Sequence, residues 1–152
     1  MVNLMKIVVI SDNHGDRDII QRIVNIHKDA DLYLHCGDSQ MFEHEIYPFI
    51  SVKGNNDFGK NYPMELYFDT PCGKLYMCHG NFLFGITPQL VESKKCKIFL
   101  YGHIHRQRIQ NFNNTYAVCP GSTSYPRGND EPSYLVIEFD NQNEPIFNFR
   151  NL

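Results

Sequence analysis

Side chains able to bind a metal ion recur in this chain wherever an apolar run ends. Asp12-Asn13-His14 follows residues 5–10 (MKIVVI), Gly37-Asp38 follows 31–35 (DLYLH), and Gly54-Asn55-Asn56-Asp57 follows 49–53 (FISVK). His79-Gly80 comes after 74–78, and Gly102-His103-Ile104-His105 after 97–101 (KIFLY). Asp12 and His14 are two apart, as are His103 and His105, so in extended backbone each pair points to one side. Carboxylate, imidazole and amide oxygen together suit divalent ions such as manganese, iron, nickel or zinc. The seven candidates (Asp12, His14, Asp38, Asn55, His79, His103 and His105) are too many for one tetrahedral ion. They suit two ions sharing a carboxylate, and Asp38 is the natural bridge.

A single histidine is more often a structural hydrogen-bonding group than a ligand. Four of them, each with Asp or Asn partners at strand ends, make that reading a run of coincidences. The remaining three are read differently. His27 sits near a helix end as a dipole partner, His44 is a solvated residue, and His35 belongs equally to the core or to the support of the site. Asp57 either orients a ligand or caps the next segment. Arg127 could meet a substrate phosphate through its fork of donors, although a solvated loop arginine is the commoner case. Tyr62, Tyr67 and Tyr76 read as sheet packing.

The elements that must position these residues follow from periodicity. Residues 5–10, 31–35 and 49–53 read as strands, separated by a helix carrying Ile19, Ile20, Ile23 and Val24 on one face and by a short helix at 42–48. That βαβαβ opening predicts a parallel sheet with right-handed crossovers. Further on, strands at 65–70 and 74–78 flank a turn at Pro71-Cys72-Gly73, and a helix covers about 87–94. A buried strand follows at 97–101. Strands at 107–112 and 115–119 flank Asn113-Asn114, and two more fit 134–139 and 146–149. Parallel α/β units followed by antiparallel hairpins predict two packed sheets with helices outside. In such folds, loops at the carboxyl ends of strands converge on one point.

Bulk properties narrow the class. The 152 residues are expected to form one domain (1–152), and 42% apolar with 20% charged content excludes disorder. A net charge of -3 with no basic run argues against extended nucleic acid as a partner. The opening apolar run, residues 1–10, is too short for a membrane span and lacks a cleavage site, so no membrane is expected. Five cysteines without a C-x-x-C pair point to reduced thiols and a cytoplasmic location.

Taken in order, Asp12-x-His14, Gly37-Asp38, Gly54-Asn55, His79-Gly80 and Gly102-His103-x-His105 resemble the calcineurin-like metallophosphoesterase superfamily. The compact length and Pro120-Gly121-Ser122 resemble its small single-domain branch, the YfcE-like phosphodiesterases. The resemblance covers residues 5 to about 128. It implies a four-layer α/β/β/α sandwich of two mixed β-sheets flanked by helices. It also implies Asp12, His14 and His105 on one divalent ion, Asn55, His79 and His103 on the other, and Asp38 bridging. Manganese is expected first, with nickel, iron or zinc as alternatives. A hydroxide between the ions would attack phosphorus in line. Two divalent ions, two carboxylates and a hydroxide leave a positive local charge, which draws in a small phosphorylated substrate. Relatives in this branch often form homo-oligomers.

The chain departs from the family pattern at three places. Asn56 stands where larger relatives have a histidine that assists the leaving group. Neutral Asn can contact a phosphoryl oxygen but cannot act as a general acid near neutral pH. Asn81 replaces a histidine common in small relatives, and Ser39-Gln40-Met41 lacks the second acidic residue often found after Gly-Asp. A phosphodiesterase is the reading these residues favour. A phosphomonoesterase is the alternative, as is a non-catalytic metal-bound scaffold like the retromer subunit with this fold.

Overall fold

Alternation along the first strand determines the layering. The computed structural model describes residues 5–152; residues 1–4 of the opening apolar run lie outside the described residues. Strand β1 (Ile7–Ile10) buries all four side chains. Ile7 and Val9 join Leu34, Leu75, Met77, Ile98 and Leu100 in one core, while Val8 and Ile10 join Ile19, Ile20, Ile23 and Ile46 in another. One face of β1 therefore meets a second sheet and the other meets helices, as period-2 geometry requires.

The first sheet has the order β10-β9-β1-β2-β3, with β2 at Leu32–His35, β3 at Ile50–Ser51, β9 at Ser133–Phe139 and β10 at Pro145–Asn151. β1, β2 and β3 pair in parallel, and β9 pairs antiparallel with both β1 and β10. The second sheet runs β4-β5-β6-β8-β7: β4 is Glu65–Thr70, β5 Gly73–Cys78, β6 Ile98–Leu100, β7 Gln107–Phe112 and β8 Thr115–Pro120. Both sheets are mixed. Helices α1 (Arg17–Ile26) and α2 (Glu43–Ile46) cover the outer face of the first sheet, and α3 (Pro88–Ser93) packs with Tyr76, Phe99 and Ala117 on the outer face of the second. The result is the expected four-layer α/β/β/α sandwich.

Local chemistry sets the helix starts. Asp16 caps α1 by accepting from the Ile19 N–H, and Thr87 caps α3 by accepting from Leu90 N–H. α2 and β3 are shorter than their sequence runs suggest. β3 is an edge strand paired to β2 through two residues only, so 49–53 lacks the partners needed to propagate the ladder.

His27 corrects its sequence reading. It caps the C-terminus of α1, but it is 2% exposed and its Nε2 lies 2.7 Å from the Tyr134 hydroxyl. Burial lowers its pKa, so it is a neutral core residue rather than a charged dipole partner. In the unfolded chain it takes a proton near pH 6.5, and in the folded chain it resists doing so. Its contribution to stability is therefore present above about pH 6.5 and is lost as pH falls. Between pH 7.5 and 5.5 the urea midpoint of the wild type should fall more than that of His27→Gln. The difference should correspond to at most about 1.4 kcal/mol; parallel midpoints would contradict this assignment. His44 is exposed, as expected.

Candidate metal centre

All five chemistry-bearing loops leave the carboxyl ends of β1, β2, β3, β5 and β6 and meet at one end of the sandwich. Two buried carboxylates stand at the centre. Asp12 Oδ1 lies 3.3 Å from His105 Nε2, 3.8 Å from His14 Nε2 and 3.9 Å from His79 Nε2. Asp38 Oδ2 lies 3.3 Å from His79 Nε2 and 3.9 Å from His14 Nε2. Asp12, His14 and His105 form one compact donor group, and Asp12, Asp38 and His79 form a second. Asp12 is common to the two groups, and Asp38, in the second, reaches the first through His14, whereas the sequence singled out Asp38 alone as the bridge. His103 and Asn55 flank the groups, joined to each other at 3.2 Å between Nδ1 and Oδ1. The His103 ring packs edge-on to His79, with centroids 5.2 Å apart.

The imidazoles are oriented for coordination. His79 Nδ1 donates to the Cys36 carbonyl at 2.8 Å, and His105 Nδ1 to the Tyr125 carbonyl at 2.6 Å. A carbonyl can only accept, so Nδ1 carries the proton in each ring. His14 Nδ1 is held in the same way by Gln40 Oε1 at 2.7 Å. All three Nε2 lone pairs therefore face the carboxylates, as outer hydrogen bonds to ligand histidines generally arrange. Asp12 Oδ1 and His79 Nε2 are buried without a hydrogen-bond partner. Leaving such atoms unsatisfied costs about 1–3 kcal/mol each, and a cation between them would offset that cost. The donor set fits a divalent metal.

Electrostatics agree with geometry. Burial opposes ionisation of Asp12, yet His105, His79 and Ser11 outweigh it and lower its pKa. Asp38 is driven far below the usual carboxylate range because His79 and Asn56 overcome its desolvation. In return, Asp38 and Asp12 raise His79 despite burial, and Asp12 raises His105. Burial, then the neighbouring His79, lowers His103. The centre is a field that attracts positive charge.

The backbone is bent to place these groups. Asp12, His14, Asp38, His103 and His105 all have positive φ, between 43° and 72°, a left-handed conformation that is uncommon for residues with a Cβ. Expected in extended backbone, the two i, i+2 pairs instead sit in tight turns, and they still converge. Gly54 packs so closely on Asp38 that a Cβ there would lie 2.1 Å from Asp38 Oδ1.

Several supporting residues were not singled out in the sequence, or were assigned other roles. Asn56 donates through its main chain to Asp38 Oδ1 at 2.8 Å and through Nδ2 to Asp38 Oδ2 at 2.9 Å. Its amide therefore holds Asp38 through one N–H. Gln40 serves His14 through its side-chain amide. Asp57 accepts from the N–H groups of Asp38, Gln40 and Gly54 at 2.7–2.9 Å and so ties the β2 and β3 loops together. Of the two roles read for Asp57 in the sequence, these bonds match the orienting one. An Asp57→Asn substitution would set an amide NH2 against a backbone donor. It should weaken manganese binding about 10–100-fold by titration calorimetry, and unchanged affinity would show that the loops hold without it. His35, fully buried, has its pKa lowered to about 4 by desolvation. It accepts from Gly37 N–H and reaches Asn13 Oδ1 at 2.7 Å, so it supports the Asp12 and Asp38 loops.

A cavity of about 450 Å³ opens over the centre, lined by His14, Asp38, Asn55, Asn56, His103, His105, Tyr125 and Arg127. Arg127 stands on this wall and is exposed. Asn81 does not line it. A larger groove of about 560 Å³ along the β3 edge contains none of the candidate ligands. No helix among the described residues is long and apolar enough to cross a membrane.

Comparison with known proteins gives a consistent picture. The model of the calcineurin-like phosphoesterase superfamily domain matches residues 5–142. A probable metallophosphoesterase, YsnB, from Bacillus subtilis (strain 168) is 30% identical over 146 residues, covering 90% of this chain and 86% of its own. The crystal structure of a predicted phosphoesterase from Streptococcus pneumoniae TIGR4 superposes with a TM-score of 0.87 at 29% identity, covering 99% of this chain and 91% of that one. Vacuolar protein sorting 29 from Cryptosporidium parvum has the same fold, with a TM-score of 0.74 at 15% identity over 98% of this chain and 99% of that one.

Proposed function

Because the chain belongs to the calcineurin-like phosphoesterase superfamily, we propose that it is a divalent-metal-dependent phosphodiesterase acting on small phosphate esters at a dinuclear centre. One observation carries this reading: three imidazoles locked with Nε2 facing two buried carboxylates, one of which has an oxygen without a partner. In this reading Asp12, His14 and His105 would hold one ion, Asn55, His79 and His103 would hold the other, and Asp38 would be available to both. Two such ions, when bound, supply an activated water nucleophile and positive charge for the phosphoryl oxygens. Manganese is the first choice, with nickel, iron or zinc as alternatives.

The protein's own groups do the rest. Arg127, exposed on the cavity wall, binds phosphoryl oxygens with its fork of donors. Asn56 fixes the orientation of Asp38 and is neutral, so it has no proton to give a leaving group. The site therefore favours esters with good leaving groups, and diesters over monoesters. Five cysteines without a disulfide among them support a cytoplasmic setting. The fold shared with vacuolar protein sorting 29 supports one second reading, a metal-bound scaffold without turnover.

The deciding experiment strips the protein with chelator and restores manganese, nickel, zinc or magnesium. Hydrolysis of bis-p-nitrophenyl phosphate and p-nitrophenyl phosphate is then followed in parallel. Metal-restored turnover that favours the diester supports the proposal, and a preference for the monoester would reassign the substrate class. Tight binding of two ions without turnover would favour the scaffold.

A further inference from the structure

The cavity over the metal centre is larger than a phosphoryl group needs. At about 450 Å³ it falls in the range of roughly 300–1,000 Å³ that encloses a whole small ligand. The organic part of an ester bound there must lie against the wall or in water. The other residues lining the wall are charged, imidazole or amide side chains, and Tyr125 alone offers a large apolar face.

Tyr125 is held in place by its main chain. Its N–H donates to Ser122 Oγ at 2.8 Å, and its carbonyl accepts from His105 Nδ1 at 2.6 Å. Ser122, fully buried, donates in turn to the Asp12 carbonyl at 2.8 Å. A bracket of hydrogen bonds thus ties this residue to two candidate metal ligands, and none of those bonds uses its side chain. The ring stands edge-to-face with His14, with centroids 5.5 Å apart and planes at 84°, and the residue remains 54% exposed. Arg127, two positions on, donates its N–H to the His105 carbonyl at 3.0 Å and lines the same wall.

The geometry points to Tyr125 as the specificity residue of this site, stacking on a planar aromatic group or nucleobase in the ester while Arg127 and the metal centre hold the phosphoryl group. This rests on the phosphoesterase reading above and names its substrate class: nucleoside or aryl phosphate esters rather than alkyl ones. A ring with few rotamers loses little entropy on contact. Stacking also tolerates changes of base, because each base has a π-face.

The test uses the manganese-loaded protein and reads binding separately from turnover. By titration calorimetry, thymidine 5′-phosphate should bind about 5- to 150-fold more tightly than methyl phosphate, the span of one base–aromatic stack. Tyr125→Ala should collapse that ratio towards one, and Tyr125→Phe should keep it, since the ring and not the hydroxyl is required. As competitive inhibitors of bis-p-nitrophenyl phosphate turnover, thymidine 5′-phosphate and methyl phosphate should show the same ratio in their inhibition constants. Discrimination in binding without any hydrolysis would uphold the subsite and refute the phosphoesterase reading. Hydrolysis with a ratio that Tyr125→Ala leaves unchanged would refute the subsite alone. Wild-type protein that binds both ligands equally would overturn it as well.

Discussion

Asp38→Asn is expected to lower kcat at saturating manganese by at least about 10²–10³-fold, the scale for removing one preorganised electrostatic partner. The substitution keeps the shape and removes the charge that faces both His14 and His79. It also disturbs the support. Both Asp38 oxygens accept from Asn56, one from the main chain and one from Nδ2. An amide there must turn an NH2 towards a donor and lose one of those bonds. Metal content by elemental analysis should fall together with kcat, while circular dichroism stays that of the folded protein. Unchanged kcat at full metal occupancy would remove Asp38 from the reaction.

Gly54→Ala is expected to do comparable damage with a single methyl group, for a different reason. The glycine needs no unusual φ; it needs empty space. A Cβ at that position would meet Asp38 Oδ1 at 2.1 Å and Asp38 N at 2.3 Å, well inside contact distance. The main-chain atom cannot swing away as a flexible side-chain end could, so the β2 loop or the β3 loop must shift. Overpacking of this kind costs about 1–3 kcal/mol of stability. Manganese affinity should drop by about 10–100-fold or more as Asp38 leaves its place. A lowered urea midpoint with lowered affinity is the expected pair of results. A variant with wild-type values for both would mean that the loops have slack which the close packing does not suggest.

Much of this site could be read in the sequence because apolar runs and chemistry-bearing residues alternate. A buried strand such as 97–101 announces itself by composition, and the residues just past its end are placed by the fold. What stayed hidden depends on long-range placement. Nothing local in 134–139 says that β9 returns to pair with β1 across more than a hundred residues. Nothing in the neighbourhood of Tyr125 says that its carbonyl will orient His105. Asn56 reads as a possible substrate contact, and nothing near it in sequence says that it also donates twice to Asp38. His27 reads as a dipole partner at a helix end because periodicity does not reveal that it is buried against Tyr134. Hydrogen-bond partners distant in sequence are set by packing, and packing leaves little trace in spacing.

The five left-handed residues at the centre bear on how such a chain can change over time. An L-residue in that conformation costs about 1–2 kcal/mol relative to its relaxed form, and Gly would relieve much of it. Selection for stability alone would therefore replace His14, His103 or His105 with glycine, and each replacement would remove a metal donor. Side chains at all five positions place the site against the fold's own preference. A lineage freed from that requirement should drift first at these turns, gaining thermal stability as it loses the capacity to hold metal.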